Sequence, residues 1–171
     1  MRGLIGVDAI DHVAVAVRSL EAAVPLFVDL LGGEFVHGGD DPALGLRTMQ
    51  LRMPPAGLRL ELMQPATDDC YLHDVLDRRG EGLHHITIRV HDIDVAVAAL
   101  EAAGIDLVDT DTETDPVWKV TYIRPKSAFG ALLQIVETSH DWDQPMEGIT
   151  MDDVLAGRWE WDTVNTLRRR A

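Results

Sequence analysis

Apolar and polar positions alternate with period two in several short runs of this chain, and two of those runs read alike. Ile10-Asp11-His12-Val13-Ala14-Val15-Ala16-Val17 predicts a strand, and Ser19-Leu20-Glu21-Ala22-Ala23 after it predicts a helix capped by Ser19. Leu83-His84-His85-Ile86-Thr87-Ile88-Arg89-Val90 predicts a second strand, followed by a helix that Asp92 caps. Gly32-Gly33 and Gly104 sit where each helix should close, because a left-handed residue is favoured just past a helix end. Apolar runs then continue each half and end in Gly57-Leu58-Arg59-Leu60-Glu61-Leu62 and Gly130-Ala131-Leu132-Leu133-Gln134-Ile135.

The registers of the two halves agree. His12 and His85 are 73 residues apart, and so are Glu61 and Gln134. The pattern therefore predicts an α+β fold of two tandem βαβββ modules, residues 8–63 and 81–137. Residues 64–80 join them through a short helix, and residues 138–171 form a C-terminal extension. One module alone leaves a sheet face bare, so the two are expected to pack into a cupped mixed sheet.

Side-chain alternation assigns faces. His12 shares a face with Ala14 and Ala16, small residues expected to leave space above them. His85 shares a polar face with Thr87 and Arg89, whereas His84 lies with Ile86, Ile88 and Val90 on the helix-facing side. Glu61 is opposed in direction to Leu60 and Leu62, and Gln134 to Leu133 and Ile135. His12, Glu61, His85 and Gln134 are thus expected to converge in the cup. Two imidazoles, a carboxylate and an amide oxygen suit one divalent ion per chain (cobalt, nickel, manganese, iron or zinc), with positions left for substrate. His37, His73, His91 and His140 are read as residues of loops or of the connector helix, without a chemical role.

Composition narrows the setting. Twenty-nine acidic residues against fifteen basic ones give a net charge of −14, which repels a phosphate backbone and argues against a nucleic-acid partner. No apolar stretch approaches the roughly 20 residues of a membrane span, and Met1-Arg2-Gly3-Leu4-Ile5 is too short for a signal peptide. A single cysteine, Cys70, allows no internal disulfide, so a cytoplasmic setting is expected. Trp142, Trp159 and Trp161 make a free C-terminal tail implausible, and packing of the extension on the body is expected. Sheet edges, an apolar helix layer and this tail together suggest a homodimer.

Between Ile10 and Glu137 the sequence resembles the vicinal-oxygen-chelate superfamily and, within it, the methylmalonyl-CoA epimerases. The resemblance rests on Ile10-Asp11-His12, on Gly80-Glu81-Gly82-Leu83-His84-His85-Ile86, on Asp92-Ile93-Asp94 with Gly104-Ile105, and on Arg124-Pro125-Lys126-Ser127 with Gly130. It implies metal ligands at His12, Glu61, His85 and Gln134. The implied reaction is metal-dependent epimerisation of an acyl-CoA, by removal of the α-proton through a stabilised enolate. Arg47, Arg52, Lys119, Arg124 and Lys126 could meet the phosphates of such a substrate.

Three positions depart from that family. Gln134 stands where Glu is usual, Arg124 where the turn has His, and a carboxylate that some members carry on the third strand falls near Thr48. Glu61 is therefore the one matched residue able to act as a catalytic base. Two alternatives stay open: another metal-dependent chemistry of the superfamily (a glyoxalase-like isomerase or lyase, or an extradiol-type dioxygenase), and a metal-free module that binds a small molecule.

Overall fold

The computed structural model describes residues 3–55, 57–142, 144–162 and 166–170. Met1 and Arg2 of the N-terminal apolar run, and Ala171 at the end of the extension, lie outside the described residues. The chain begins with β1 (Val7–Ala16), then α1 (Leu20–Val24) running into a π-helical turn at Pro25–Leu30, then β2 (Glu34–Asp41), β3 (Leu46–Met53) and β4 (Leu58–Pro65). After the connector helix α2 (Leu72–Arg79) come β5 (Gly82–Val90), α3 (Ile93–Ala102), β6 (Leu107–Asp111), β7 (Trp118–Ile123) and β8 (Leu133–Thr138). The extension supplies α4 (Met151–Leu155), β9 (Trp159–Trp161) and β10 (Leu167–Arg169). The element order is β-α-β-β-β twice, in a mixed sheet of ten strands ordered β10-β9-β2-β3-β4-β1-β5-β8-β7-β6.

Local chemistry explains the helix ends. The Ser19 side chain accepts from the Ala22 N–H at 3.2 Å, and Asp92 accepts from Val95 at 2.9 Å. Gly32 and Gly104 follow the last helical residues with φ of 75° and 74°, a conformation that costs other residues steric strain.

The chain divides into two compact units that do not coincide with the repeat. One contains residues up to Val13 together with His84–His140, and the other contains Ala14–Leu83 together with the residues from Asp141 onward. In the first unit, β5 pairs with β8 in parallel, and β8 and β6 pair antiparallel with β7. Val90, Ile93, Ala96, Ile123 and Ile135 form its core beneath α3. Glu137 on β8 accepts from the Ile93 N–H and from the Lys119 ammonium, both at 2.9 Å, which pins the start of α3 to the sheet. Those two donors, the backbone N–H first, hold its carboxyl below the ordinary glutamate value.

In the second unit, β2, β3 and β4 run antiparallel, and their register aligns His37, Gln50 and Glu61 in one cross-strand row. His37 is thus a strand residue, not a loop residue as the pattern suggested, and its ring packs edge-on against Trp161 and tilted against Trp142. Ala14 and Ala16 leave no open space. They are buried with Leu46, Met63, Cys70, Leu72 and Leu76, because the connector helix α2 lies over them.

The extension lengthens the sheet. β9 pairs in parallel with β2 through Asp40 and Glu160, and β10 pairs antiparallel with β9. Asp40, only 2 % exposed, accepts from Arg47 and lies 2.9 Å from Arg170, while Glu160 receives Arg168 and Arg170. Arg47 also donates to the Leu155 carbonyl at the end of α4. Gly39 lets the tail come this close, since a Cβ there would strike Leu167 and the Trp159 carbonyl. No helix among the described residues is long and apolar enough to cross a membrane.

Candidate metal centre

β1 and β5 each deliver one buried imidazole. His12 is 4 % exposed and His85 is 6 % exposed, and their Nε2 atoms lie 3.4 Å apart with the rings edge to face. Two imidazoles bound to one tetrahedral ion at about 2.1 Å each would place their nitrogens roughly 3.4 Å apart. The spacing fits two ligands aimed at one ion.

The opposite edge of each ring is held. Asp11, with its side chain 1 % exposed, lies with Oδ1 2.8 Å from His12 Nδ1. Its other oxygen is 3.8 Å from an Arg89 nitrogen, and Arg89 in turn donates to Asp8 at 3.0 Å. His85 Nδ1 lies 2.8 Å from His84 Nδ1. Burial first, then the imidazoles of His12 and His84, push the His85 pKa down to about 2, against a smaller opposing effect of Gln134. His85 is therefore neutral near pH 7, the form in which an imidazole coordinates a metal.

Gln134 on β8 faces Thr87 on β5 and Tyr122 on β7, its partners in the two strand registers. Its Oε1 accepts from the Thr87 hydroxyl at 2.5 Å, and its Nε2 donates to the Tyr122 hydroxyl at 2.8 Å. The Thr87 hydroxyl is also 2.9 Å from His12 Nε2, so the amide and both imidazoles belong to one continuous polar cluster. Thr87 is fully buried, on the face that alternation gave it.

Glu61 on β4 is partly buried, and Gln50 Nε2 donates to its Oε1 at 2.9 Å. His12 and His85 belong to one compact unit and Glu61 to the other. Two neutral-capable imidazoles and a carboxylate are a donor set that borderline divalent ions accept.

The remaining positions singled out in the sequence are less involved. His73 sits on α2, and His91 and His140 follow strands at the surface. Thr48 lies in β3 opposite Met63. Among the cations considered for phosphates, Arg47 pairs with Asp40, Lys119 with Glu137 and Lys126 with Asp106. The alternation of β1 and β5 hid the roles of Asp11 and His84, because neighbours on a strand point to opposite faces. Tyr122 carried no signal in the sequence, since only the β7–β8 register sets it opposite Gln134.

Comparison with known proteins agrees with this architecture. The chain is 30% identical over 153 residues to the 2-epi-5-epi-valiolone epimerase of an Actinomyces species, covering 79% of this chain and 82% of that protein. The crystal structure of methylmalonyl-CoA epimerase from Mycobacterium tuberculosis superposes with a TM-score of 0.72 at 30% identity, covering 82% of this chain and 94% of that one. A Streptomyces coelicolor methylmalonyl-CoA epimerase in complex with 2-nitronate-propionyl-CoA superposes at 0.68, with 26% identity over 79% of this chain and 100% of that one. The family model of the glyoxalase/bleomycin resistance protein/dioxygenase superfamily matches residues 11–122. With this match, the shared fold and the duplicated strand–helix pattern, the chain belongs to that superfamily.

Proposed function

We propose that this chain is a metal-dependent epimerase that removes the α-proton of a methylmalonyl-CoA-like thioester. The observation that carries the reading is the 3.4 Å approach of His12 Nε2 and His85 Nε2, two nitrogens turned toward one point. His12, Glu61, His85 and Gln134 would hold the ion. The ion would supply positive charge beside the substrate's carbonyl oxygens, which stabilises the enolate left when the α-proton departs. Relatives point the same way: the named proteins above act on different substrates, yet each is called an epimerase.

In this reading Glu61 takes the proton, and its Gln50 hydrogen bond fixes the carboxylate orientation. Gln134 cannot accept a proton; Thr87 and Tyr122 hold its amide in one orientation at the site. Epimerisation needs a proton donor on the opposite face of the carbon, and Thr48 offers no carboxylate for it. Proton exchange should therefore outpace inversion. The protein, loaded with cobalt or manganese, is expected to incorporate deuterium from heavy water at the α-carbon of methylmalonyl-CoA, and a chelator is expected to stop it. Absence of exchange with any short branched malonyl thioester overturns the epimerase reading. His12, Glu61 and His85 alone, as two imidazoles and a carboxylate, would then favour iron-dependent oxygen chemistry.

The setting proposed is cytoplasmic, consistent with a lone cysteine that is buried in the core rather than paired. We also propose a homodimer. Exposed Leu4, Val7, Ile10 and Leu83 are apolar side chains of the kind that subunit contacts cover. Light scattering at micromolar concentration is expected to give twice the chain mass of 18.9 kDa, and a monomer refutes the proposal.

A further inference from the structure

We infer that Trp142 and Trp161 of the C-terminal extension are specificity-determining residues: they close the sheet face beside Glu61 and limit the acyl branch that a substrate can place there. This limit rests on the reading of Glu61 as the base, and it adds what bounds the space around that carboxylate.

Strand register fixes which side chains share the face. Directly paired residues on neighbouring strands point the same way, so His37, Gln50 and Glu61 stand on one face of β2, β3 and β4. Asp40, three residues after His37, points to the other face, and its partner on β9 is Glu160. Trp161 follows Glu160 and therefore projects on the His37 side. The rings agree with this assignment. The His37 centroid lies 5.7 Å from Trp161 and 5.7 Å from Trp142, and the two indoles are 5.8 Å apart. Leu167, paired with Trp161, lies on the same side, where a Gly39 Cβ would point.

Exposure falls along the row away from the carboxylate. Glu61 is partly buried, Gln50 is 6 % exposed and His37 is 3 % exposed. Neighbouring strands lie about 4.8 Å apart, so the His37 backbone stands roughly 10 Å from that of Glu61. Gln50 fills the interval and donates to Glu61. A group bound beside Glu61 and extending toward β2 meets Gln50 first, then the packed rings of His37, Trp142 and Trp161. The α-carbon of a malonyl thioester carries two carbonyl groups, a proton and a branch. With the proton directed at Glu61, the branch stands beside the base, and it is the substituent whose size varies. The residues of this wall in the extension lie outside the stretch 11–122 matched by the family model.

Methylmalonyl-, ethylmalonyl- and butylmalonyl-CoA test the wall. In the cobalt-loaded wild type, α-deuterium exchange and calorimetric affinity should both fall from methyl to butyl, by roughly tenfold for each methylene that does not fit. In Trp142→Leu and Trp161→Leu the butyl-to-methyl ratio should rise by about tenfold or more. Trp161→Phe keeps a ring and should raise it less. If a leucine variant fails to fold, Asp40→Ala loosens the extension through its ion pairs and should raise the same ratio. A purely structural role lowers Tm and weakens all three thioesters in proportion. An unchanged ratio in these variants, or equal affinity of the wild type for the methyl and butyl compounds, overturns the inference. Binding that falls with branch length, without exchange in the wild type, overturns the epimerase reading and leaves the wall to be decided by the affinity ratios. Failure of all three thioesters to bind overturns both.

Discussion

If the proposed function holds, replacing His12 or His85 by alanine should abolish divalent-ion binding and metal-dependent proton exchange. Each ring supplies one of two Nε2 atoms 3.4 Å apart, so either loss leaves a single imidazole at this point. The loss of affinity should exceed the roughly 10–100-fold that outer partners contribute. Elemental analysis of chelator-free preparations and deuterium uptake measure the two effects. Stability should separate the variants. His12→Ala removes the imidazole donor from a carboxylate whose side chain is 1 % exposed, which costs about 1–3 kcal/mol. His85→Ala removes a neutral ring bonded to another ring and should cost less. Full metal content in either variant defeats the assignment of that ligand.

The second large effect concerns the C-terminal extension. Asp40→Ala takes away the buried carboxylate that joins Arg47, on β3, to Arg170, near the end of the described tail. Arg47 keeps the Leu155 carbonyl, and the Arg170 side chain is 44% exposed, so solvent offsets part of the loss. A destabilisation of about 2–3 kcal/mol is expected, less than the full cost of breaking a wholly buried pair. For a chain of this size that lowers Tm by roughly 5–10 °C. Trypsin should then cut at Arg168 or Arg169 well before it attacks the body. An unchanged Tm together with unchanged cleavage would show that Trp142 and Trp161, stacked about His37, hold the tail by themselves.

Much of this was legible in the sequence for local reasons. Caps at Ser19 and Asp92 follow from short side-chain hydrogen bonds, and strand faces follow from the pleat, so both can be read without tertiary knowledge. His12 and His85 emerged because two strands of like pattern repeat a histidine at one offset. Other features depend on partners distant in sequence. Ala14 and Ala16 looked like the floor of a cavity, but α2 brings Leu72 and Leu76 down onto them. His37 was read as a loop residue, yet it lies in β2, where Gly38 and Gly39 allow close packing against Thr48, Trp159 and Leu167. Asp11 and His84 were concealed by the alternation that revealed their neighbours. The three-residue strands β9 and β10 are too short to give any periodicity.

The repeat and the compact units divide the chain at different places, and this limits how the molecule can be cut. β1 begins in one unit and ends in the other, the change falling between Val13 and Ala14. A fragment starting at Gly80 would carry His85, Gln134 and the core under α3. It would lack Asp8, the partner of Arg89, as well as Asp11 and His12. Each half of the duplicated sequence is thus an incomplete folding body that must borrow from the other.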